Sequence, residues 1–482
     1  MKPTSAAIES RLEFIRTASP QYDRQDAGER VAGPGPVAIE LDRSFSLQGT
    51  AQEAKDGSSP EEHGGPELRP RSVGELGVRR AFLEELALKT LYASGAGSIR
   101  ELARQMRLSL DVADEIFGRL KTETLCQVTG MAGTVPTIAL TSLGRTRALE
   151  ALSQCQYTGA APVSLERYVE QVRKQSVRNL VVRRPDVERA FSGMVVDPKI
   201  LGQIGTALNS GSTIFVHGPA GVGKTAMAET MSRVLAEDDV WIPYSIEVDG
   251  QVIAVFDPMI HKKVDDFDES THDERWVRCH RPSVLVGGEL TIEMLDLQFN
   301  ASTRYYDGPM QMKANNGVLI LDDFGRQRVS PEELLNRWIV PLDRGIDFLT
   351  MSGGKKIEVP FEMLVVFATN MDPAELVDAA FLRRMQTKIR VETATDEQFS
   401  AIFRRVANER GLELEDRVLK ELIVTIRENL HQQLRGCQPR DLINQVCWAA
   451  QYEDCRPRLD HASLMRAVEA YFLADATQAV ST

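Results

Sequence analysis

Lys224 and Thr225 carry the most specific chemistry in the sequence. They close the octet Gly218-Pro219-Ala220-Gly221-Val222-Gly223-Lys224-Thr225, and the spacing Gly-x-x-x-x-Gly-Lys-Thr is that of a Walker A phosphate loop. Gly218, Gly221 and Gly223 permit backbone conformations that turn several N–H groups inward on a phosphate chain. Lys224 adds a point charge for the β- and γ-phosphates, Thr225 a hydroxyl for a magnesium ion, and a helix opening near Gly223 its positive end. Asp322 and Asp323 end the apolar run Gly317-Val318-Leu319-Ile320-Leu321, which has the form of a Walker B strand. There Asp322 would orient magnesium through water and Asp323 would take a proton from an attacking water. Asn370, at the end of Leu364-Val365-Val366-Phe367-Ala368-Thr369, offers an amide to hold that water. Arg383 and Arg384 are adjacent guanidinium groups of the kind a neighbouring γ-phosphate needs. Arg440 stands at a helix start, where a cation meets the positive end of the dipole and a bound phosphate would offset the cost.

Three apolar strands and one helix must position these groups. Ile214 to Val216 reads as a buried strand feeding the loop, and Met227, Met231, Val234 and Leu235 mark one face of the helix that follows it. Asp197-Pro198, a cap with proline at the first helical position, predicts a helix ending near Asn209 and Gly211, just before the loop strand. The segment preceding such a loop commonly lies across the base, which makes Met194 to Val196 base-pocket candidates.

Composition sets the outer bounds. A chain of 482 residues has length for about three domains. No apolar run approaches a membrane span, and the residues after Met1 do not form a secretion signal, so a cytoplasmic protein without membrane insertion is expected. Six cysteines are scattered without a CxxC pair, which predicts neither a disulfide framework nor a zinc site. A net charge of −12 argues against a chain built to coat nucleic acid.

Residues 1–77, rich in Gly, Pro, Ser and charge, read as a disordered tail with too little apolar surface to offset ordering entropy. From 78 to 160 come three amphipathic helices: one with Phe82, Leu86 and Leu91, one capped by Ser98, and one over Leu110 to Leu120. Two candidate strands near Cys126 and Thr137 and a last helix follow. This order resembles a winged-helix (α+β) domain, whose third helix would read DNA. Asp111, Asp114 and Glu115 crowd the end that would meet phosphates, and residues 81–160 hold eight Lys and Arg against eight Asp and Glu, so protein contact or scaffolding is the favoured reading. Residues 161–177 read as a linker. The stretch 241–316 predicts a hairpin about Asp249-Gly250 and an acidic loop with Asp265, Asp266, Asp268, Glu269, Asp273 and Glu274. Trp276 and Tyr305-Tyr306 lie where a substrate-gripping loop could sit. From 394 to 475 the chain turns helical, opened by the capping box Thr395-Asp396-Glu397-Gln398, and residues 476–482 form a closing tail.

Together these motifs resemble an AAA+ ATPase of the P-loop NTPase superfamily over about residues 178–475, and Gly308 to Asp323 is similar to the MoxR-like and enhancer-binding branches. The resemblance implies a three-layer αβα core over 178–393 and an all-helical C-terminal lid over 394–475. It also implies ATP and Mg2+ as ligands, sensor 1 at Asn370, an arginine finger at Arg383 or Arg384, and sensor 2 at Arg440. The same resemblance implies a ring oligomer, a hexamer, and ATP hydrolysis. One residue departs from the pattern: the second Walker B acid is usually glutamate, whereas Asp323 is one methylene shorter. Two functions remain open at this level, a chaperone-like remodeller of an unknown protein substrate and a DNA-associated transcriptional regulator that uses the ATPase as a switch.

Overall fold

The computed structural model describes residues 69–132, 135–236, 238–264, 272–376, 383 and 385–472. Among the described residues no helix is long and apolar enough to cross a membrane.

A five-stranded parallel sheet organises the centre. Its strands are β1 (Ile214–His217), β2 (Ser283–Val286), β3 (Val318–Leu321), β4 (Leu364–Thr369) and β5 (Thr387–Arg390), in the spatial order β2-β3-β4-β1-β5. Every residue of β3 and β4 is buried, as expected of parallel strands covered on both faces. The two-residue strand period sorts their side chains. Ile214, Val216, Ile320 and Val366 face a layer containing α1 (Pro198–Ser210) and α2 (Lys224–Leu235), which contribute Leu201, Ile204, Met227 and Met231. Phe215, Leu319, Leu321 and Phe367 face α3 (Pro331–Arg344), which contributes Leu334, Leu335 and Trp338. The result is the three-layer αβα core. Helix α1 starts and stops as the sequence predicts: Asp197 accepts from the Lys199 N–H at 2.7 Å, and Gly211 closes it at φ 57°.

Carboxyl-terminal to the sheet, α4 (Asp396–Glu409), α5 (Asp416–Val424), α6 (Gln438–Tyr452) and α7 (His461–Tyr471) enclose a separate apolar centre around Phe399, Phe403, Leu422 and Leu442. The capping box is present at its first turn, with the Gln398 N–H donated to Thr395 Oγ1 at 3.2 Å and Thr395 N–H to Gln398 Oε1 at 3.0 Å.

Ahead of the core, helices Arg80–Ser94, Ile99–Met106 and Leu110–Thr122 pack with the hairpin Cys126–Ala132/Val135–Leu140 and helix Ser142–Gln154. The chain is built into this module from Arg69 onward, ahead of the tail boundary expected at residue 77. Val73 and Leu76 are buried in its core, and Arg69 pairs with Glu274 at 2.7 Å. The stretch expected to be a linker is likewise structural. Val163–Ser164 is the edge strand of a second five-stranded sheet, and Tyr168 and Val172 of helix Leu165–Lys174 lie in that sheet's core.

This second sheet is largely an insertion between α2 and β3. Its hairpin Ser245–Val248/Gln251–Ala254 turns through Asp249 and Gly250 at φ 51° and 86°, the paired positive φ values of a type I′ turn. The aromatics considered for a substrate-gripping loop pack into this sheet. Trp276 and Tyr306 are buried, the Tyr306 hydroxyl accepts the Ser352 N–H at 2.7 Å, and Tyr305 stands edge-on to Tyr157 at 5.5 Å. Of the acidic loop, Asp265, Asp266, Asp268 and Glu269 lie outside the described residues. Asp273 is inside and buried.

Asp273 binds the fully buried Arg275 through both carboxylate oxygens, at 3.0 Å from Nε and 2.7 Å from Nη2. The remaining guanidinium nitrogen donates to Leu76 O at 3.0 Å and Pro162 O at 3.1 Å. One guanidinium therefore ties the insertion to both ends of the N-terminal module, and Val252 of the insertion completes that module's core. Removing a single partner of a buried pair strands the other charge. Asp273→Ala is expected to cost about 3–5 kcal/mol, seen in chemical denaturation as earlier loss of the N-terminal module; an unchanged midpoint would contradict this anchoring role.

Candidate functional site

The carboxyl ends of β1, β3 and β4 lie side by side, since Thr369 pairs with His217 and Leu321 with Phe367. Residues that follow three adjacent strands are thereby delivered to one crevice, the position where open α/β sheets hold ligands. The loop Gly218 to Gly223 leaves β1, Asp322 and Asp323 leave β3, and Asn370 leaves β4.

The loop's shape needs its glycines. Gly218, Gly221 and Gly223 adopt φ 149°, 79° and 96°, values that a side chain makes costly. A Cβ on Gly218 would also stand 2.0 Å from Val391 O, and one on Gly221 2.7 Å from Cys437 Sγ. Pro219, Ala220 and Val222 fill the positions between the glycines, and Val222 packs into the core. Helix α2 opens at Lys224 directly behind Gly223, so its free N–H groups and dipole end face the crevice.

Lys224 is buried, and its Nζ donates to Gly218 O at 3.0 Å, to Pro219 O at 2.8 Å and to Asn370 Oδ1. Burial lowers its pKa from the ordinary lysine value, while Asp322 and Asp323 act in the opposite direction. Asn370 uses its other amide atom on Asp323, donating from Nδ2 to Oδ1 at 2.8 Å. Lys224, Asn370 and Asp323 thus form one hydrogen-bonded chain across the crevice. Beside it, Thr225 Oγ1 lies 2.9 Å from each oxygen of the Asp322 carboxylate. A hydroxyl and a carboxylate converging at that distance make a hard oxygen set that suits magnesium.

The C-terminal helices close one wall. Cys437 donates its N–H to Gly221 O at 3.0 Å, and Arg435 lays its side chain along the loop, its Cδ 3.4 Å from where a Gly221 Cβ would be. The Arg435 Nε is buried and makes no hydrogen bond. Neither contact was visible in the sequence. Arg435 lies five residues before Arg440 but carries no spacing signal, and only the approach of the two domains brings it to the loop.

The remaining expected residues are placed less centrally. The Arg440 side chain is 68% exposed, with the carboxylate of its neighbour Asp441 3.8 Å from its Nε. Arg383 is exposed, and Arg384 lies outside the described residues. Met194 stands against the loop, its Cε 3.7 Å from the Cβ position of Gly223, and Val196 is buried in the core.

Residues 395–470 match a family described as a domain of unknown function (DUF8689). No curated protein is significantly similar to the chain. Among solved structures, the Thermotoga maritima RuvB Holliday junction branch migration motor is 16% identical, with 57% of this chain and 69% of that chain covered and a TM-score of 0.33. NtrX from Brucella abortus in complex with ADP is 13% identical, with 59% and 57% covered and a TM-score of 0.37. The strand order, with the loop, carboxylates and amide at the strand ends, gives the core the layout of a P-loop αβα fold.

Gly221 is where loop conformation and domain contact meet. Gly221→Ala is expected to weaken ATP binding about tenfold, because left-handed strain of about 1–3 kcal/mol adds to the collision with Cys437. A fluorescent-nucleotide titration checks this, and wild-type affinity in the variant would contradict it.

Proposed function

We propose that this AAA+ core is a magnesium-dependent ATPase that works as a ring oligomer, hexameric by resemblance, to remodel a protein complex. The observation that carries the reading is the convergence of Lys224, Thr225, Asp322, Asp323 and Asn370 at three adjacent strand ends. In this reading the N–H groups of Pro219 to Gly223 and the Lys224 ammonium bind the β- and γ-phosphates. Thr225 and Asp322 would hold magnesium, which would supply positive charge to offset that of the phosphates. Asn370 orients the attacking water and Asp323 takes its proton, while Arg383 or Arg384 of a neighbouring copy stabilises charge on the γ-phosphate in the transition state. Arg440 would sense the same phosphate from the C-terminal helices, which act as the lid. Catalysis is then mainly positioning and electrostatics.

The N-terminal module is assigned to partner choice. The exposed Asp111 and Asp114 lie at the start of helix Leu110–Thr122, and Glu115 is engaged with Arg80 and with the Val73 N–H at 2.9 Å. Those carboxylates would repel a phosphate backbone, which favours a protein partner over duplex DNA.

Three outcomes are expected. Asp323→Asn should retain ATP and co-purify with the protein substrate; loss of ATP binding in this variant would contradict the proton-acceptor role. Of Arg383→Ala and Arg384→Ala, one should assemble and bind ATP yet turn it over at least about a thousandfold more slowly, and normal turnover in both would remove the trans-acting arginine. Duplex binding by the full chain across a salt series should be weak; tight binding with a steep salt slope would favour the transcriptional-regulator reading.

A further inference from the structure

Asp323 has an unusual backbone. Its φ is 48°, the left-handed region that a residue with a Cβ occupies only when its surroundings enforce it. Several contacts do so. On the far side of Asp323, the Phe324 N–H is donated to Ala368 O at 2.8 Å, and Thr369 Oγ1 donates to Phe324 O at 2.6 Å, which fastens this turn to β4. Within the turn, the Arg326 N–H is donated to Asp323 O at 2.9 Å.

A side chain adds a further restraint. Gln327 Nε2 donates to Asp322 O at 2.9 Å, and its Oε1 accepts the Gly325 N–H at 3.1 Å. One amide therefore grips the turn on both sides of Asp323. The task suits an amide, which donates to a carbonyl and accepts from an N–H through two separate atoms, whereas a carboxylate only accepts and an ammonium only donates. The gripped turn holds the Asp323 carboxylate on Asn370 at 2.8 Å, and Asn370 in turn meets Lys224.

We propose that Gln327 is a positioning residue for the hydrolytic step: it locks the turn after β3 in the left-handed form that brings the short Asp323 carboxylate to the water held by Asn370. The inference rests on the ATPase reading and deepens it, since it explains how aspartate serves where one more methylene would ordinarily supply the reach. Gln327 touches neither nucleotide nor water in this account; it acts through Asp323.

The test is a double-mutant cycle on the full chain, read in ATPase kcat and, separately, in ATP affinity. Gln327→Ala is expected to lower kcat about tenfold while leaving affinity within about twofold. In an Asp323→Glu background, whose longer side chain needs less help from the turn, the same substitution should cost less than about threefold. Gln327→Met, which keeps the volume and removes both hydrogen bonds, should behave as Gln327→Ala and replaces it should that variant fail to fold. Equal losses in the two backgrounds, unchanged kcat, or a parallel fall in affinity and kcat would each overturn the positioning role. Turnover by the wild type with no effect of Gln327→Ala removes this inference alone, whereas a wild type that never hydrolyses ATP removes the ATPase reading and this inference with it.

Discussion

A buried ammonium at the edge of a parallel sheet is the constraint from which the rest of the site follows. Lys224 gives up solvent, and its charge is met by the carbonyls of Gly218 and Pro219, by Asn370 Oδ1 and by the nearby Asp322 and Asp323. Those groups come from three different strands, so the lysine is accommodated only when β1, β3 and β4 are in register. The register in turn depends on strands buried on both faces, which is why α1 and α2 on one side and α3 on the other are part of the site in an energetic sense. A polyphosphate entering the loop would take over the role that the carbonyls and the amide play for the ammonium.

Much of this core was legible in the sequence because its signals are local. Ile214–His217, Val318–Leu321 and Leu364–Thr369 are uninterrupted apolar runs ending in glycine, carboxylate and amide, and the Asp197-Pro198 and Thr395/Gln398 caps mark helix starts by chemistry that acts within one turn. The insertion was harder to read. Tyr305 and Tyr306 beside Gly308 have the composition of a mobile loop, yet a short strand pairs them with Gln251–Ala254 and buries Tyr306. Part of that pairing is local, with Gln298–Asn300 just upstream, but the strand Gln251–Ala254 on the other side comes from a distant part of the chain. The same holds for Val163–Ser164 and helix Leu165–Lys174, whose apolar residues find their core in strands from Asp239 onward.

The site residues divide along the same line. Lys224, Thr225, Asp322, Asp323 and Asn370 were named from motif spacing, and the structure brings them together. Gln327, Arg435 and Cys437 carry no motif, and they matter through geometry alone: a turn gripped from both sides, and a wall of the crevice supplied by another domain. The Cys437 N–H on Gly221 O joins the phosphate loop to the C-terminal helices, while Arg275 joins the insertion to the N-terminal module. The phosphate loop and the C-terminal helices, and separately the insertion and the N-terminal module, are thus each joined by short, identifiable contacts.

The central claim, that these strand ends form a magnesium-dependent ATP-hydrolysing site, is tested most directly by phosphate release from ATP by the wild-type chain and by Lys224→Ala, each with magnesium and with a chelator. The account predicts turnover by the wild type only when magnesium is present, and none by Lys224→Ala under either condition. Equal phosphate release by Lys224→Ala, or turnover by the wild type that persists in the chelator, would contradict it.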